Sequence, residues 1–207
     1  MQLLVYVILF FLQPLDSIEQ EKMAAHFVKV NKKSIFYARP LVKEIYKQSK
    51  RTGIDPTVLA AIAWNESWFD KDATGDSHEK GIWQIWPWVS ILGSSWAAIR
   101  RSGLIGNVPW SRFILRDRQD LISDLEVGTW FAADILVVVS SYCVARKHDH
   151  RRPTDKNAHY NSGYKYPRPG YSRFLWDRVR VIRKVIGRSG ITSKENAWLN
   201  RTVPGGL

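Results

Sequence analysis

One glutamate stands at the end of an apolar stretch, where its carboxyl group could take part in proton transfer. Glu66 follows the apolar residues 60–64 and precedes Ser67, Trp68 and Phe69. Apolar neighbours disfavour the charged form of a carboxyl group and raise its pKa toward the range that a general acid needs. Glu66 is therefore the first candidate for an acid/base residue. The alternative is that it only caps its helix or forms a salt bridge, which is the usual role of one glutamate on an apolar helix.

Several short motifs accompany this glutamate in a definite order. The sequence Glu-Ser-x-Phe at 66–69 is followed by Ala73 and then by Gly-x-x-Gln-x-x-Pro at 81–87. Farther along the chain, residues 125–131 contain Leu-Glu-Val-Gly and Trp-Phe, and residues 158–163 read Ala-His-Tyr-Asn-Ser-Gly. Three blocks in one order are more specific than any one of them.

This order of blocks resembles the catalytic domain of the soluble lytic transglycosylases, which are goose-lysozyme-like enzymes that cut peptidoglycan. The resemblance covers about residues 37–188. It implies a mainly α, lysozyme-like single domain with an irregular or short β-hairpin loop over the cleft. It also implies cleavage of the β-1,4 bond between N-acetylmuramic acid and N-acetylglucosamine with a 1,6-anhydro product, and it implies no cofactor.

The resemblance also assigns expected roles to single residues. Glu66 would be the acid/base, Gln84 would contact sugar, and Tyr160 with Asn161 would belong to the opposite wall of the cleft. The Tyr160 hydroxyl is expected to bond the Glu66 carboxyl group or the substrate. The alternative for Tyr160 is a buried side chain whose hydroxyl is satisfied by the backbone.

The sequence departs from the family pattern at three places. Trp83 stands where methionine is common, so it is a candidate for stacking on sugar, and His159 replaces a frequent alanine. Many members carry a serine shortly after the motif alanine, where this chain has Thr74 and Gly75, with Ser77 slightly later. Ser77 is therefore a substrate-binding candidate, although the helper hydroxyl is not assigned.

Two other functions compete with this interpretation. A goose-type lysozyme would hydrolyse the same bond with additional carboxylates, and the candidates for these are Asp70, Asp72, Asp76 and Glu79. A basic binding module without enzymatic activity would explain the charge of the chain instead.

The charge itself predicts anionic partners. Lys and Arg outnumber Asp and Glu by 31 to 19, which gives a formal net charge of +12. Peptidoglycan strands and anionic cell-wall polymers fit this charge, whereas no motif for nucleic acid accompanies it. The basic groups near the C-terminus are expected to form an exposed attracting face; they are Arg173, Arg178, Arg180, Arg183, Lys184 and Arg188.

The apolar spacing predicts the helices that must position these residues. One helix is expected to begin near Pro40 and to end at Gly53, and a second to open with Asp55 as N-cap and Pro56 at its first position. A long helix is expected from about Asp120. A basic amphipathic helix is expected over 171–186, with an apolar face of Phe174, Leu175, Val179, Ile182 and Ile186.

The ends of the chain are expected to lie outside the domain of residues 37–188. Residues 1–17 contain an apolar run of the size of a signal-peptide core, without a preceding Lys or Arg, so both a signal peptide and an uncleaved anchor stay open. Residues 18–36 are expected to be a connector and 189–207 a flexible basic tail. The protein is accordingly expected to be exported to the cell envelope or to belong to a virion, with a secretion apparatus or virion as partner.

Cysteine and histidine add little to this functional interpretation. Cys143 cannot form an intrachain disulfide because it has no second cysteine, and it is expected to be a small buried side chain. His148, Asp149 and His150 are ligand types, but neighbouring residues on a charged loop seldom converge on one ion. We expect no metal site.

Overall fold

The computed structural model describes residues 17–76, 78–85, 124–145, 160 and 169–188. Its helices are α1 (Ile18–Val30), a 3-10 helix (Lys32–Phe36), α2 (Ala38–Thr52), α3 (Pro56–Ser67), α4 (Leu125–Ala145) and α5 (Pro169–Ile186). The fold is mainly α, which confirms the predicted class. No described helix is long and apolar enough to cross a membrane.

Helix α3 lies at the centre because its sequence is apolar on every side. The Asp55 side chain caps its start by accepting a 2.7 Å hydrogen bond from the Thr57 N–H, and Pro56 occupies the first turn, as predicted. All residues from 56 to 63 are buried. The helix ends at Trp68 in the left-handed conformation, with φ of 56°.

The other helices pack around this centre in pairs. Helix α2 contacts α1, α3 and α4, and α5 contacts α3 and α1. Helix α2 ends at Gly53, whose φ of 75° is the left-handed conformation that glycine adopts without strain. The Asp124 carboxylate accepts a hydrogen bond from the Val127 N–H at the start of α4, which explains a start at Leu125 rather than near Asp120.

Helix α5 buries most of its predicted apolar face, but not all of it. Leu175, Val179, Ile182 and Ile186 are buried, whereas Phe174 is 62% exposed. Phe174 lies at the edge of the apolar face, because the four buried residues repeat at helical spacing without it.

The N-terminal residues contribute to the core, which the sequence did not predict. Met23 and Phe27 on α1 are fully buried, and the Phe27 ring stacks on Phe69 with ring centroids 4.0 Å apart. Arg188 at the end of α5 forms two hydrogen bonds to the Glu19 carboxylate, at 2.9 and 2.7 Å. The segment expected to be a connector is therefore folded onto the domain, and the core begins before Tyr37.

A short irregular hairpin follows α3. Antiparallel bridges pair Thr74 with Lys80 and Lys80 with Ile85. This loop confirms the predicted irregular or short hairpin. The helix expected at 95–101, the turn at 103–107, the terminal segments 1–16 and 189–207 and the Cys143 side chain lie outside the description.

Candidate active site

The candidate acid, Glu66, lies in the last turn of α3, where the helix meets the hairpin and the start of α5. Its surroundings raise the pKa of the carboxyl group from 4.5 to about 7, mainly because burial removes water from the charged form. The negative charge of Glu79 raises the pKa further, whereas a hydrogen bond from Tyr171 lowers it. A carboxyl group with this pKa is present in both protonation states near neutral pH, as an acid/base residue requires.

Tyr171 is the partner of this carboxyl group. Its hydroxyl donates a 2.5 Å hydrogen bond to Glu66 Oε1. Burial and the Glu66 charge raise the pKa of the Tyr171 hydroxyl well above its ordinary value, so the hydroxyl keeps its proton and stays a donor. Sequence reasoning missed this residue because only the packing of α5 on α3 brings them together. The one sequence feature that could have indicated Tyr171 is its position, as an aromatic residue with a hydroxyl group, at the start of an amphipathic helix.

Ser67 connects the end of α3 to the hairpin. Its hydroxyl lies 2.8 Å from the Ile82 carbonyl oxygen and 3.2 Å from that of Ala63. The serine that follows the glutamate therefore holds the turn at 81–85 against the helix that carries Glu66. This contact gives a structural role to the serine that directly follows the glutamate in the motif.

Gln84 braces the same turn. Its side-chain amide donates to the carbonyl oxygens of Gly81, at 2.8 Å, and Ala73, at 3.2 Å. Its backbone is left-handed, with φ of 45°, which these two bonds help to hold. A contact between Gln84 and sugar stays a prediction, since both amide hydrogens have partners within the protein.

Trp83 does not take the role expected from the sequence. The side chain is 1% exposed, and its indole N–H donates to the Thr129 hydroxyl at 3.2 Å. The indole is thus a core anchor between the hairpin and α4, and it offers no face to a sugar ring. The expectation of stacking was wrong because sequence alone cannot separate a core tryptophan from a cleft tryptophan.

Tyr160 lies close enough for the Glu66 charge to act on it, and burial and this charge raise the pKa of its hydroxyl well above the ordinary value. The hydroxyl donates to the Trp83 carbonyl oxygen at 2.9 Å. The expected bond to Glu66 is therefore made by Tyr171 instead, and the backbone-bonded alternative describes Tyr160. Asn161 and Ser77 lie outside the described residues.

Among the carboxylates considered for a second acidic role, Glu79 acts on Glu66 through its charge. A methyl group added to Gly75 would lie 2.4 Å from Glu79 Oε2 and 2.7 Å from Gln84 Oε1. Gly75 thus allows the Glu79 carboxylate to pack against the hairpin. Asp70 and Asp72 instead face Lys33 and Lys71, at 3.6 and 2.6 Å.

No group of three or more His, Cys, Asp or Glu residues suited to a metal ion occurs within the described ranges. The His148 to His150 segment lies outside those ranges. The raised pKa of Glu66 makes its carboxyl group suited to proton transfer.

Comparison with known proteins finds a similar family for part of the chain. Residues 43–90 match the family model described as the transglycosylase SLT domain. Searches of curated proteins and of solved structures gave no significant match. The matched range contains Glu66, Ser67 and Gln84, whereas Tyr160 and Tyr171 lie beyond it. Residues 43–90 are therefore similar to the transglycosylase SLT domain, in agreement with the lytic transglycosylase motifs of the sequence.

Proposed function

We propose that the protein is a peptidoglycan lytic transglycosylase that cleaves the bond between N-acetylmuramic acid and N-acetylglucosamine. The observation that carries this proposal is the carboxyl group of Glu66, whose pKa is raised to about 7 within the range matched to the SLT domain. A group of this kind can give a proton to a leaving oxygen at neutral pH and then take one back.

In the first step, protonated Glu66 donates its proton to the glycosidic oxygen as the bond to the anomeric carbon breaks. Positive charge then develops on the sugar ring, as in other glycosidic cleavages. Tyr171 donates to Glu66 Oε1, so its bond strengthens as the carboxylate forms. The Tyr171 hydroxyl therefore favours the carboxylate product of this proton transfer.

In the second step, the Glu66 carboxylate accepts the proton of the 6-hydroxyl of the same N-acetylmuramic acid. The hydroxyl oxygen bonds to the anomeric carbon and closes the 1,6-anhydro ring, while Glu66 regains its proton. One residue suffices because an internal hydroxyl has a high effective concentration and no water needs activation.

Hydrolysis by a goose-type mechanism is the second candidate, and one observation favours it. The charge of Glu79 acts on Glu66, so a second carboxylate lies within electrostatic reach of the candidate acid. A carboxylate in that position could activate water on the sugar. Glu79→Gln would then abolish hydrolysis, whereas the anhydro-forming reaction needs no such group.

The likeness to SLT domains supports the cell wall as the site of action. We propose that the protein is exported to the envelope or carried by a virion, where it opens peptidoglycan for a secretion apparatus or a phage. Peptidoglycan strands, with their anionic polymers, would be its main partner. We also propose that the folded unit begins at α1, with residues 1–17 and 189–207 as extensions.

Mass spectrometry of digested peptidoglycan tests the proposal. Anhydro ends support the transglycosylase, reducing ends support the hydrolase, and the absence of products supports a binding module.

A further inference from the structure

An arginine on α5 is held between two tryptophans of α3. The Arg178 guanidinium carbon lies 4.7 Å from the centre of the Trp64 ring and 4.9 Å from that of Trp68. The two indoles meet at 74°, so they form a corner that the guanidinium fills. Cation–π contacts of this kind fix the guanidinium plane without using its N–H groups.

The N–H groups of Arg178 are incompletely satisfied. Its Nη1 atom is buried and has no acceptor among the residues that the structure describes. The two other buried or half-buried arginines of this region differ, because Arg183 bonds Asp55 and Arg188 bonds Glu19. Nη1 itself is too deeply buried to meet an external ligand, but the side chain as a whole is only partly buried. An external anion would therefore bind the accessible edge of the guanidinium, whose plane the two indoles hold in place.

Two exposed aromatic side chains lie beside this cation. Trp68 is 57% exposed, and Phe174 is 62% exposed one helical turn before Arg178. Trp68 also holds a left-handed backbone, with φ of 56°, a conformation that bulky residues rarely adopt. We call Trp64, Trp68, Phe174 and Arg178 the aromatic platform. Its exposed faces and its cation suit a ligand that has both an apolar face and an acidic group.

The platform lies on the same helix face as the partner of the candidate acid. Tyr171 and Arg178 are seven residues apart on α5, which is almost two full turns and about 10 Å along the helix. This length is close to that of a disaccharide. A glycan strand bound at Glu66 would have to run about this distance along α5 to meet the platform.

We propose that the aromatic platform is a further binding subsite for the glycan strand, specific for a sugar unit that carries a carboxylate on its peptide stem. Trp68 stacks on the pyranose ring, and Arg178 binds the stem carboxylate. This inference rests on the proposed function, because it takes peptidoglycan as the substrate. It adds a recognition site that lies away from the reacting atoms.

Binding can be measured separately from cleavage in the Glu66→Gln variant. The probe is a purified soluble tetrasaccharide with peptide stems, and the measurement is its Kd by calorimetry at fixed salt. Trp68→Ala and Arg178→Ala, each made in the Glu66→Gln background, are expected to raise the Kd about tenfold, the loss of a charge-assisted contact. Arg178→Lys should lose as much, because an ammonium group lacks the planar shape that fits between two indoles.

Arg173→Ala is the matched control, since it removes the same charge from an exposed position of the same helix. Its Kd should stay within about twofold of the parent, as expected for an exposed charge. A tetrasaccharide whose stem carboxylates are amidated should bind the parent and Arg178→Ala equally. Thermal unfolding of each variant verifies that the fold is intact, and Trp68→Ala provides the test if Arg178→Ala unfolds.

Equal Kd values for the parent, Trp68→Ala and Arg178→Lys would overturn the subsite. The subsite would also be overturned if these variants bound the tetrasaccharide as tightly as the parent but lost binding to anionic lipid vesicles or to a protein partner. The proposed function fails in a different way, namely when the Glu66-containing protein yields no cleavage products although the tetrasaccharide binds.

Discussion

The Tyr171 hydroxyl donates a hydrogen bond to Glu66 Oε1 and so joins the start of α5 to the last turn of α3. This bond favours the carboxylate, whereas burial and the nearby charge of Glu79 favour the protonated acid. The balance leaves the pKa of Glu66 at about 7. Burial is the largest of these effects, and the packing of α5 on α3 adds the Tyr171 bond that opposes it.

Tyr171→Phe should change the pH dependence of the reaction. Without the hydroxyl donor, the carboxylate loses stabilisation, so the pKa of Glu66 should rise and the alkaline limb of kcat/KM should move to higher pH. Turnover should fall by about 10- to 100-fold because the carboxyl group is held less firmly. A pH–rate profile on solubilised peptidoglycan measures both effects.

Tyr160→Phe is the matched control, because its hydroxyl bonds the Trp83 carbonyl group rather than Glu66. It should leave the alkaline limb in place and lower the free energy of unfolding by about 1 kcal/mol. If Tyr171→Phe and Tyr160→Phe gave the same pH profile, Tyr171 would have no special relation to the acid.

Glu66→Gln should change stability in a pH-dependent way. Between pH 4.5 and about 7 the unfolded protein releases the Glu66 proton while the folded protein keeps it, so the free energy of unfolding falls as pH rises. The loss approaches about 3 kcal/mol above pH 7. Glutamine cannot lose a proton, so the variant should gain stability relative to the wild type at pH 8 but not at pH 4.

Urea denaturation at both pH values measures this difference. Asp134, whose pKa burial raises to about 6, titrates in both proteins and therefore cancels in the comparison. The same stability difference at pH 4 and pH 8 would show that the pKa of Glu66 is ordinary.

Phe27→Ala tests whether α1 belongs to the folded unit. The ring is fully buried and stacks on Phe69, which directly follows the end of α3, so its loss should cost about 3–5 kcal/mol. Ile18→Ala on the same helix is the control, since Ile18 is exposed and its loss should cost less than about 0.5 kcal/mol. If Phe27→Ala and Ile18→Ala lowered the melting temperature equally, residues 18–36 would be a connector rather than part of the folded unit.

Salt should weaken activity on whole sacculi more than on short neutral fragments. The Debye length falls from about 10 Å at 0.1 M salt to about 3 Å at 1 M, which screens the attraction between exposed charges and the polyanion. Exchanging the exposed Arg180 and Lys184 for Glu should reproduce the effect of salt on sacculi and spare the fragments. Activity on both substrates is measured across this salt range. If salt lowered both activities equally, electrostatic attraction to the polyanion would not explain the effect.

Arg183 is unsuitable for that test, although the sequence placed it among the exposed basic groups. Its side chain is 4% exposed, and Nη1 donates to Asp55 Oδ2 at 3.1 Å. Reversing its charge would place two carboxylates together inside the protein and would be strongly destabilising.

The sequence was sufficient where local patterns decide the structure. Asp55 and Pro56 predicted the start of α3, and the apolar run after them predicted that Glu66 would be desolvated. Capping and helical periodicity depend on neighbouring residues, so they can be read directly from the chain.

Contacts between distant segments could not be predicted in the same way. Tyr171 reaches Glu66 only because α5 packs on α3, and Trp83 packs into the core against α4, where its indole N–H meets the Thr129 hydroxyl. Met23 and Phe27 lay in a segment with many charged residues, where two buried positions give a weak signal. Tertiary packing decided each of these cases.

The products released from purified peptidoglycan test the central claim most directly. The account predicts that mass spectrometry will find 1,6-anhydro-N-acetylmuramic acid ends after digestion with the wild-type protein. Digestion with Glu66→Gln should give none, although circular dichroism shows a folded protein. Reducing ends in place of anhydro ends would contradict the proposed reaction, and undiminished products from Glu66→Gln would contradict the assignment of the acid.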